Sequence, residues 1–227
     1  MCHPGEGFPR ISPVGESALL VTLDEQISLA ANERVMALDT HLQANPIGGV
    51  LEWVPAYASL LIFFDPSIVD YQRLSTLLCE IMPGLDVAQF RSPQRVLIPV
   101  AYGGDGGPDL GVVADHCGLS PDNVVALHTA PIYRVGMMGF TPGFAYLMGL
   151  DEQLITPCHA NPRTFVPAGS VGIAGAQTGI YPLDSPGGWQ LIGRTQFKLF
   201  DRQREPPFLL APGDEVQFVP ENGINIE

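Results

Sequence analysis

The groups best suited to hold or transform a small molecule lie in the second half of the chain, between His128 and Arg194. Arg163, in NPRTFVPAGS, comes first, because a guanidinium fork takes a carboxylate through two parallel hydrogen bonds. The same residue type also ties loops together through backbone carbonyls, and both roles stay open. His128, in VVALHTAPIYRV, titrates near neutral pH and suits general-base work. Its alternative is a packed core residue, or a partner for the dipole at a helix C-terminus. Gln177, Tyr181 and Arg194 add hydrogen-bonding groups beside glycines, which let a ligand come close to the backbone. The candidates are therefore His128 and Arg163 for catalysis and Gln177, Tyr181 and Arg194 for substrate binding.

Other chemistries fail on spacing. Ser170, in PAGSVGIAG, does not sit in a GxSxG elbow, and no Ser-His-Asp triad can be assembled. The run Gly103-Gly104-Asp105-Gly106-Gly107 invites a phosphate-loop reading, since helix N-termini attract anions. Asp105 and Asp109, however, put negative charge where phosphate would sit. No Lys-Ser/Thr follows, which excludes a P-loop. A tight turn with acids at a helix start, suited to the dipole, is the better reading. His116-Cys117 and Cys158-His159 lack the two-to-four-residue spacing of zinc ligands, so no metal is expected.

Composition narrows the class further. The chain has 227 residues, 46% of them hydrophobic, and a net charge of −13 with Lys198 as its one lysine. Such a chain would repel a nucleic-acid backbone or an anionic membrane surface. Its apolar runs are shorter than the roughly 20 residues of a membrane helix. MCHPGEGFPR lacks the pattern of a signal peptide. A cytoplasmic protein is expected, with Cys2, Cys79, Cys117 and Cys158 reduced.

These residues must be positioned by surrounding elements. Residues 1–9 read as a tail and Ala18–Leu23 as a buried strand. Ala31, Val35, Leu38 and Leu42 follow helical spacing from Ser28 until Asn45-Pro46. Val50–Val54 and Ser59–Phe64 read as strands. Asp65-Pro66 offers a cap and first-turn proline for a helix carrying Ile68, Tyr71, Leu74, Leu78 and Ile81. Val87–Phe90 can supply another strand. The order β-α-β-β-α-β over 10–91 fits a ferredoxin-like α/β subdomain. A second domain, 95–227, begins with a strand at Val96–Tyr102. Two short helices follow, one from Pro108-Asp109 to Cys117 with Gly118 as C-cap, and one from Ser120-Pro121 to His128. From Ile132 onward short apolar runs alternate with Gly/Pro turns, including strands at Gln196–Phe200 and Glu215–Val219, as in a β-barrel.

The stretch from Gly136 to Thr195 carries little charge and is broken by Gly and Pro every few residues. It contains GFTPGFAYL (139–147), PRTFVPAGSV (162–171), QTGIYP (177–182), PGGW (186–189) and GRT (193–195). With GESALLV (15–21), VPAYASLLIFFDP (54–66) and YGGDGGPDL (102–110), these words resemble the family of the B component of 5-oxoprolinase. That family includes the kinase inhibitor KipI and the first half of the allophanate-hydrolase and urea-carboxylase carboxyltransferase domain. The resemblance implies an α+β protein, with the α/β subdomain followed by a cyclophilin-like β-barrel. It also implies a subunit, inactive alone, of an ATP-dependent enzyme that opens 5-oxo-L-proline to L-glutamate. Its partners would be a sibling carboxyltransferase-type subunit (the C component) and a third subunit (the A component). ATP would be used by the complex, at a site on or shared with a partner. Phe140, Pro142, Phe144 and Trp189 either fill the barrel or form an exposed patch, and because the family works in complexes a partner interface is expected of them. Asp105 remains open as a subunit contact or a substrate edge. Cys158 stands where the family usually has arginine, which weakens an anion-binding role there. The KipI branch offers an alternative, an inhibitor of a sensor histidine kinase. A third is a subunit of a biotin-dependent carboxyltransferase or allophanate-type amidohydrolase.

Overall fold

A computed structural model of the chain describes residues 9–85 and 93–221. Two compact units result, one before Pro93 and one from Pro93 onward. The first is a four-stranded antiparallel sheet with two helices: β1 (Arg10–Val14), β2 (Ala18–Thr22), α1 (Leu29–Ala44), β3 (Val50–Pro55), β4 (Ser59–Phe64) and α2 (Tyr71–Ile81). Strand order is β1-β2-β4-β3. β2, α1 and β3 make a split crossover with β4 between its strands, as the ferredoxin-like pattern requires. Val87–Phe90 lies outside the described residues. The edge beside β2 is taken by β1, a strand directly after the expected tail, paired from Arg10↔Thr22 to Val14↔Ala18.

Local chemistry explains both helices. Ser28 accepts a hydrogen bond from the Ala31 amide at the start of α1, and Ala31, Val35, Leu38 and Leu42 are buried at helical spacing. α2 starts later than Asp65-Pro66 suggests. Asp65 Oδ1 instead accepts from the amide and hydroxyl of Ser67, closing a single turn that leaves Ile68 66% exposed. Asp70 is the cap, accepting from the Arg73 amide at 2.7 Å. The core unites Leu19, Val21, Leu38, Leu60, Ile62 and Leu74.

The second unit is a closed barrel of seven strands. These are β5 (Arg95–Tyr102), β6 (Tyr133–Met138), β7 (Ala145–Met148), β9 (Ser170–Ala174), β10 (Gln177–Ile180), β12 (Gln190–Arg194) and β13 (Glu215–Pro220). Around the barrel they run β10-β7-β6-β13-β5-β12-β9. An odd ring cannot alternate direction throughout, and the one parallel pair is β5 with β13, from Glu215↔Arg95 to Pro220↔Val100. Alternate residues point inward, among them Ile98, Val100, Val135, Leu147, Ile173 and Phe218. α3 (Leu110–Cys117) ends at Gly118 in the left-handed conformation, and α4 (Pro121–Thr129) is capped by Ser120. Outside the barrel, β8 (Arg163–Val166) and β11 (Ser185–Gly187) form a two-stranded ribbon.

One expected strand is absent. Gln196–Phe200 is irregular apart from an isolated bridge between Phe200 and Phe208. The Arg204 guanidinium takes the carbonyls of Lys198, Leu199, Pro206 and Pro207, holding this segment as a loop rather than a ladder. Among the described residues no helix is long and apolar enough to cross a membrane.

Candidate functional site

A cleft of about 310 Å³ opens on the outer face of the barrel, lined by Phe140, Phe144, Tyr146, Pro162, Tyr181, Pro186, Gly187, Gly188 and Trp189. Its floor depends on a pair of glycines. Gly172 of β9 and Gly179 of β10 are directly opposite in register. A Cβ on Gly179 would lie 3.1 Å from the Trp189 ring and 3.3 Å from the Phe144 ring, and one on Gly172 would lie 3.1 Å from Trp189 Cβ. Missing side chains on adjacent strands thus let the indole lie across the barrel wall. Phe144 meets Trp189 and Tyr181 edge to face, with ring centroids 5.4 and 5.3 Å apart. Phe144, Val166, Tyr181 and Leu191 form a small core of their own beneath the cleft.

The polar side of this region is organised by Asp109, the residue before α3, which is 4% exposed. Its Oδ1 accepts from Arg163 Nη2 at 2.6 Å, and its Oδ2 accepts from the Leu191 amide at 2.6 Å. His159 Nε2 lies 3.2 Å from the same Oδ2. Burial pushes the Asp109 carboxyl upward. The hydrogen bonds from Arg163, Leu191 and His159 outweigh it and hold the group below the usual carboxylate range. Arg163 also reaches the Trp189 carbonyl at 3.5 Å. Those contacts use two of the five N–H donors of a guanidinium, and the side chain remains 29% exposed. Burial raises the Tyr181 phenol to about 12, opposed by a hydrogen bond from the Trp189 backbone and by the nearby Arg163 charge. The cleft is thus an apolar aromatic slot that includes the Tyr181 ring, and the Arg163 guanidinium, with donors to spare, lies behind its wall on the Trp189 carbonyl, next in sequence to the lining residue Pro162. A small molecule with a flat apolar body and a carboxylate matches that combination.

The residues anticipated from the sequence separate into three groups. Tyr181, Phe140, Phe144 and Trp189 line the cleft, and Arg163 borders it through the Trp189 carbonyl without lining it. Phe144 is 1% exposed, so it forms the floor and has no surface for a partner; Phe140 and Pro142 are exposed. Gln177 opens β10 and Tyr181 follows its last residue, so the two are roughly 13 Å apart at strand rise. Gln177 does not line the cleft. Arg194 is exposed and donates through Nε to the Ala168 carbonyl at 3.0 Å.

His128 lies inside the barrel, fully buried. Thr178 Oγ1 donates to the Gly172 carbonyl at 2.9 Å, so its one proton is committed. His128 Nε2 must then donate to Thr178 Oγ1 at 2.8 Å, and Nδ1 accepts from the Tyr102 hydroxyl at 2.8 Å. The ring stacks on Phe218 at 4.6 Å. Burial lowers its pKa to about 3, so it stays neutral. Both ring nitrogens have partners inside the protein, and the position is that of a packed core histidine rather than a general base facing substrate.

The glycine run has a packing explanation. A Cβ on Gly107 would collide with the Ile192 carbonyl of β12. The amides of Gly103, Gly107 and Asp109 already donate to Ile192, Gly103 and Leu191 carbonyls. They are not available to cradle a phosphate, and Asp105 is exposed. Among the described residues no group of three His, Cys, Asp or Glu side chains could hold a metal ion. Cys117 contacts Thr156 and His159 pairs with Asp109. Asp109 and His159 are members of the candidate site that spacing did not reveal. YGGDGGPDL marked Asp109 only as a helix-start acid, and nothing local connects it with residues fifty and more positions away.

Comparison with known proteins places the chain. The profile of the carboxyltransferase domain, subdomains C and D, matches residues 9–210. The chain is 45% identical over 211 residues to the B component of 5-oxoprolinase from Escherichia coli O157:H7, covering 92% of this chain and 94% of that protein. It is 44% identical to the B component of 5-oxoprolinase from Haemophilus influenzae, covering 93% and 98%. The crystal structure of TTHA0988 superposes with a TM-score of 0.78 at 42% identity, over 92% of this chain but only 41% of that longer one. With a matching profile over most of its length and these relatives at more than 40% identity, the chain belongs to the carboxyltransferase domain family, subdomains C and D.

Proposed function

We propose that the chain is a non-autonomous subunit of an ATP-dependent 5-oxoprolinase, and that the aromatic cleft receives 5-oxo-L-proline. The observation that carries this reading is the near end-to-end similarity to two proteins named as subunits of 5-oxoprolinase, both the B component. The cleft suits such a substrate. The five-membered ring would lie among Trp189, Tyr181 and Phe144, and its carboxylate would take the unused donors of Arg163. A lactam is a stable amide. Transfer of a phosphoryl group from ATP to its carbonyl oxygen makes the ring carbon a better electrophile; water adds there, the C–N bond breaks to leave an acyl phosphate and the free amine, and a second water releases phosphate and the carboxylate. This chain's part is to hold and orient the ring, a role worth several orders of magnitude in rate. The nucleotide is bound by, or shared with, the sibling carboxyltransferase-type subunit or the third subunit.

Reconstitution with those subunits provides the test, read as ADP release dependent on 5-oxo-L-proline. Arg163→Lys keeps a charge beside Asp109 but loses the fork. It should raise KM for 5-oxo-L-proline about tenfold or more while the complex still assembles. An unchanged KM would remove the substrate from this cleft. The exposed Phe140 and Pro142 favour a second reading, a kinase-binding module of the KipI type. Recovery of a histidine kinase and no sibling subunit in a pull-down from native cells would select it.

A further inference from the structure

Phe140 is, among the described residues, the one non-glycine residue with positive φ, at 65°. A bulky side chain in that region is strained, and such strain persists only where the surroundings enforce it. Here a tight turn does so. The Gly139 amide donates to the Phe144 carbonyl, Phe144 to Thr141, and Thr141 to Gly139. Gly143 in the same turn also has positive φ, at 86°. Thr141 Oγ1 is buried there without a hydrogen-bond partner, a second unfavourable feature in the same turn.

The consequence of this conformation is not burial, since Phe140 remains 60% exposed. Its ring instead stands at the mouth of the cleft, edge to face with Phe144 at 5.6 Å and with Tyr181 at 6.4 Å. A glycine would relax the turn, and a polar residue would suit the exposure. A phenyl group satisfies neither demand, but it would cover an apolar ring held in the cleft against Trp189.

We propose that Phe140 is the closing residue of the cleft, a ring held out by a strained turn so that it packs on the bound lactam and sets the affinity of the site. The proposal rests on the reading of the cleft as the 5-oxo-L-proline site. Phe140 touches the apolar part of the ligand and takes no part in bond making, so its contribution falls on binding.

Three substitutions in the reconstituted complex separate strain from contact. Phe140→Gly removes both the ring and the strain, Phe140→Ala removes the ring alone, and Phe140→Tyr keeps the ring. The isolated Gly variant should melt about 2–4 °C above the Ala variant, the shift expected when one unfavourable backbone conformation is relieved. In the complex, both should raise KM for 5-oxo-L-proline about tenfold, the scale of one lost aromatic contact with its burial, and leave kcat within about twofold. Phe140→Tyr should keep the wild-type KM. If the Ala variant does not fold, the Gly variant, whose backbone suits φ of 65°, carries the test. Wild-type KM in the Gly variant, alongside a raised KM in Arg163→Lys, would show that the cleft is the site and Phe140 is not its cover. Wild-type KM in both would sink the cleft assignment itself. A fall in kcat with KM unchanged would also overturn the proposal.

Discussion

The second unit contains two polar networks that each include a histidine, and they differ in what they leave open. Inside the barrel, Tyr102, His128, Thr178 and the Gly172 carbonyl form a chain in which every proton has an acceptor. Outside it, Asp109 gathers Arg163, His159 and the Leu191 amide, yet Arg163 keeps unused donors and stays partly exposed. Both sets combine residue types that serve in catalysis. The closed network rigidifies the barrel, because a buried and satisfied polar chain specifies one arrangement. The half-open one borders a cleft. Residue type alone does not separate the two; solvent access and remaining hydrogen-bonding capacity do.

Asp109→Ala strikes the contrast at its strongest point. That change leaves the Arg163 charge and the Leu191 amide without their acceptor, and it should destabilise the chain by about 3 kcal/mol in urea unfolding. A loss below about 1 kcal/mol would mean that water or another group replaces the carboxylate.

His128→Gln should have the next largest effect, about 2 kcal/mol, from the broken chain and the lost stacking on Phe218. It should leave KM for 5-oxo-L-proline untouched, which distinguishes the closed network from the open one. The pH dependence tests the same difference. Unfolded histidine takes a proton below about 6.5, whereas buried His128 resists until about 3. Between those values the unfolded state binds more protons, so stability rises with pH. The wild-type chain should therefore lose up to about 1.4 kcal/mol per pH unit on acidification from 6.5 toward 3, a slope absent from the Gln variant. Asp109 adds to this lower down. Its depressed pKa gives stability that is present above the usual carboxylate value and lost as the pH falls below it.

The smallest expected effect is that of Ser120→Ala. The Ser120 hydroxyl accepts from the Asn123 amide at the start of α4, the helix whose last turn carries His128. Its loss should cost about 1 kcal/mol. A larger loss, with altered near-ultraviolet signals from Tyr102 and Tyr133, would show that the cap also sets the position of the histidine.

Much of the fold is legible because it is written locally. Ser28 and Ser120 start their helices as their residue types suggest, and Gly118 ends α3 in the expected conformation. The elements that depart from expectation are those where side chains capture the backbone. Asp65 closes a turn with Ser67 ahead of the true cap, Asp70. Arg204 gathers four carbonyls and keeps Gln196–Phe200 out of the barrel. In neither case does apolar periodicity record the competing bond. The site is legible only in part. Arg163 and Tyr181 stand out by type. Whether Phe144 fills the fold or faces a partner cannot be read locally, because its burial depends on a distant glycine, at 179, and on the rings of Tyr181 and Trp189.

Residue order alone specifies the helices, most of the strands, the change from an α/β unit to a barrel, and the resemblance to the B component of 5-oxoprolinase. Each rests on patterns within a few residues or on words of fixed order. Which polar groups meet, and which remain open, is settled by the folded arrangement. Asp109 reaches Arg163 and Leu191 across 54 and 82 residues, and Trp189 crosses two strands at their paired glycines. Barrel closure and strand register set those contacts, and they arise from the packing of the whole ring of strands, which no single segment encodes.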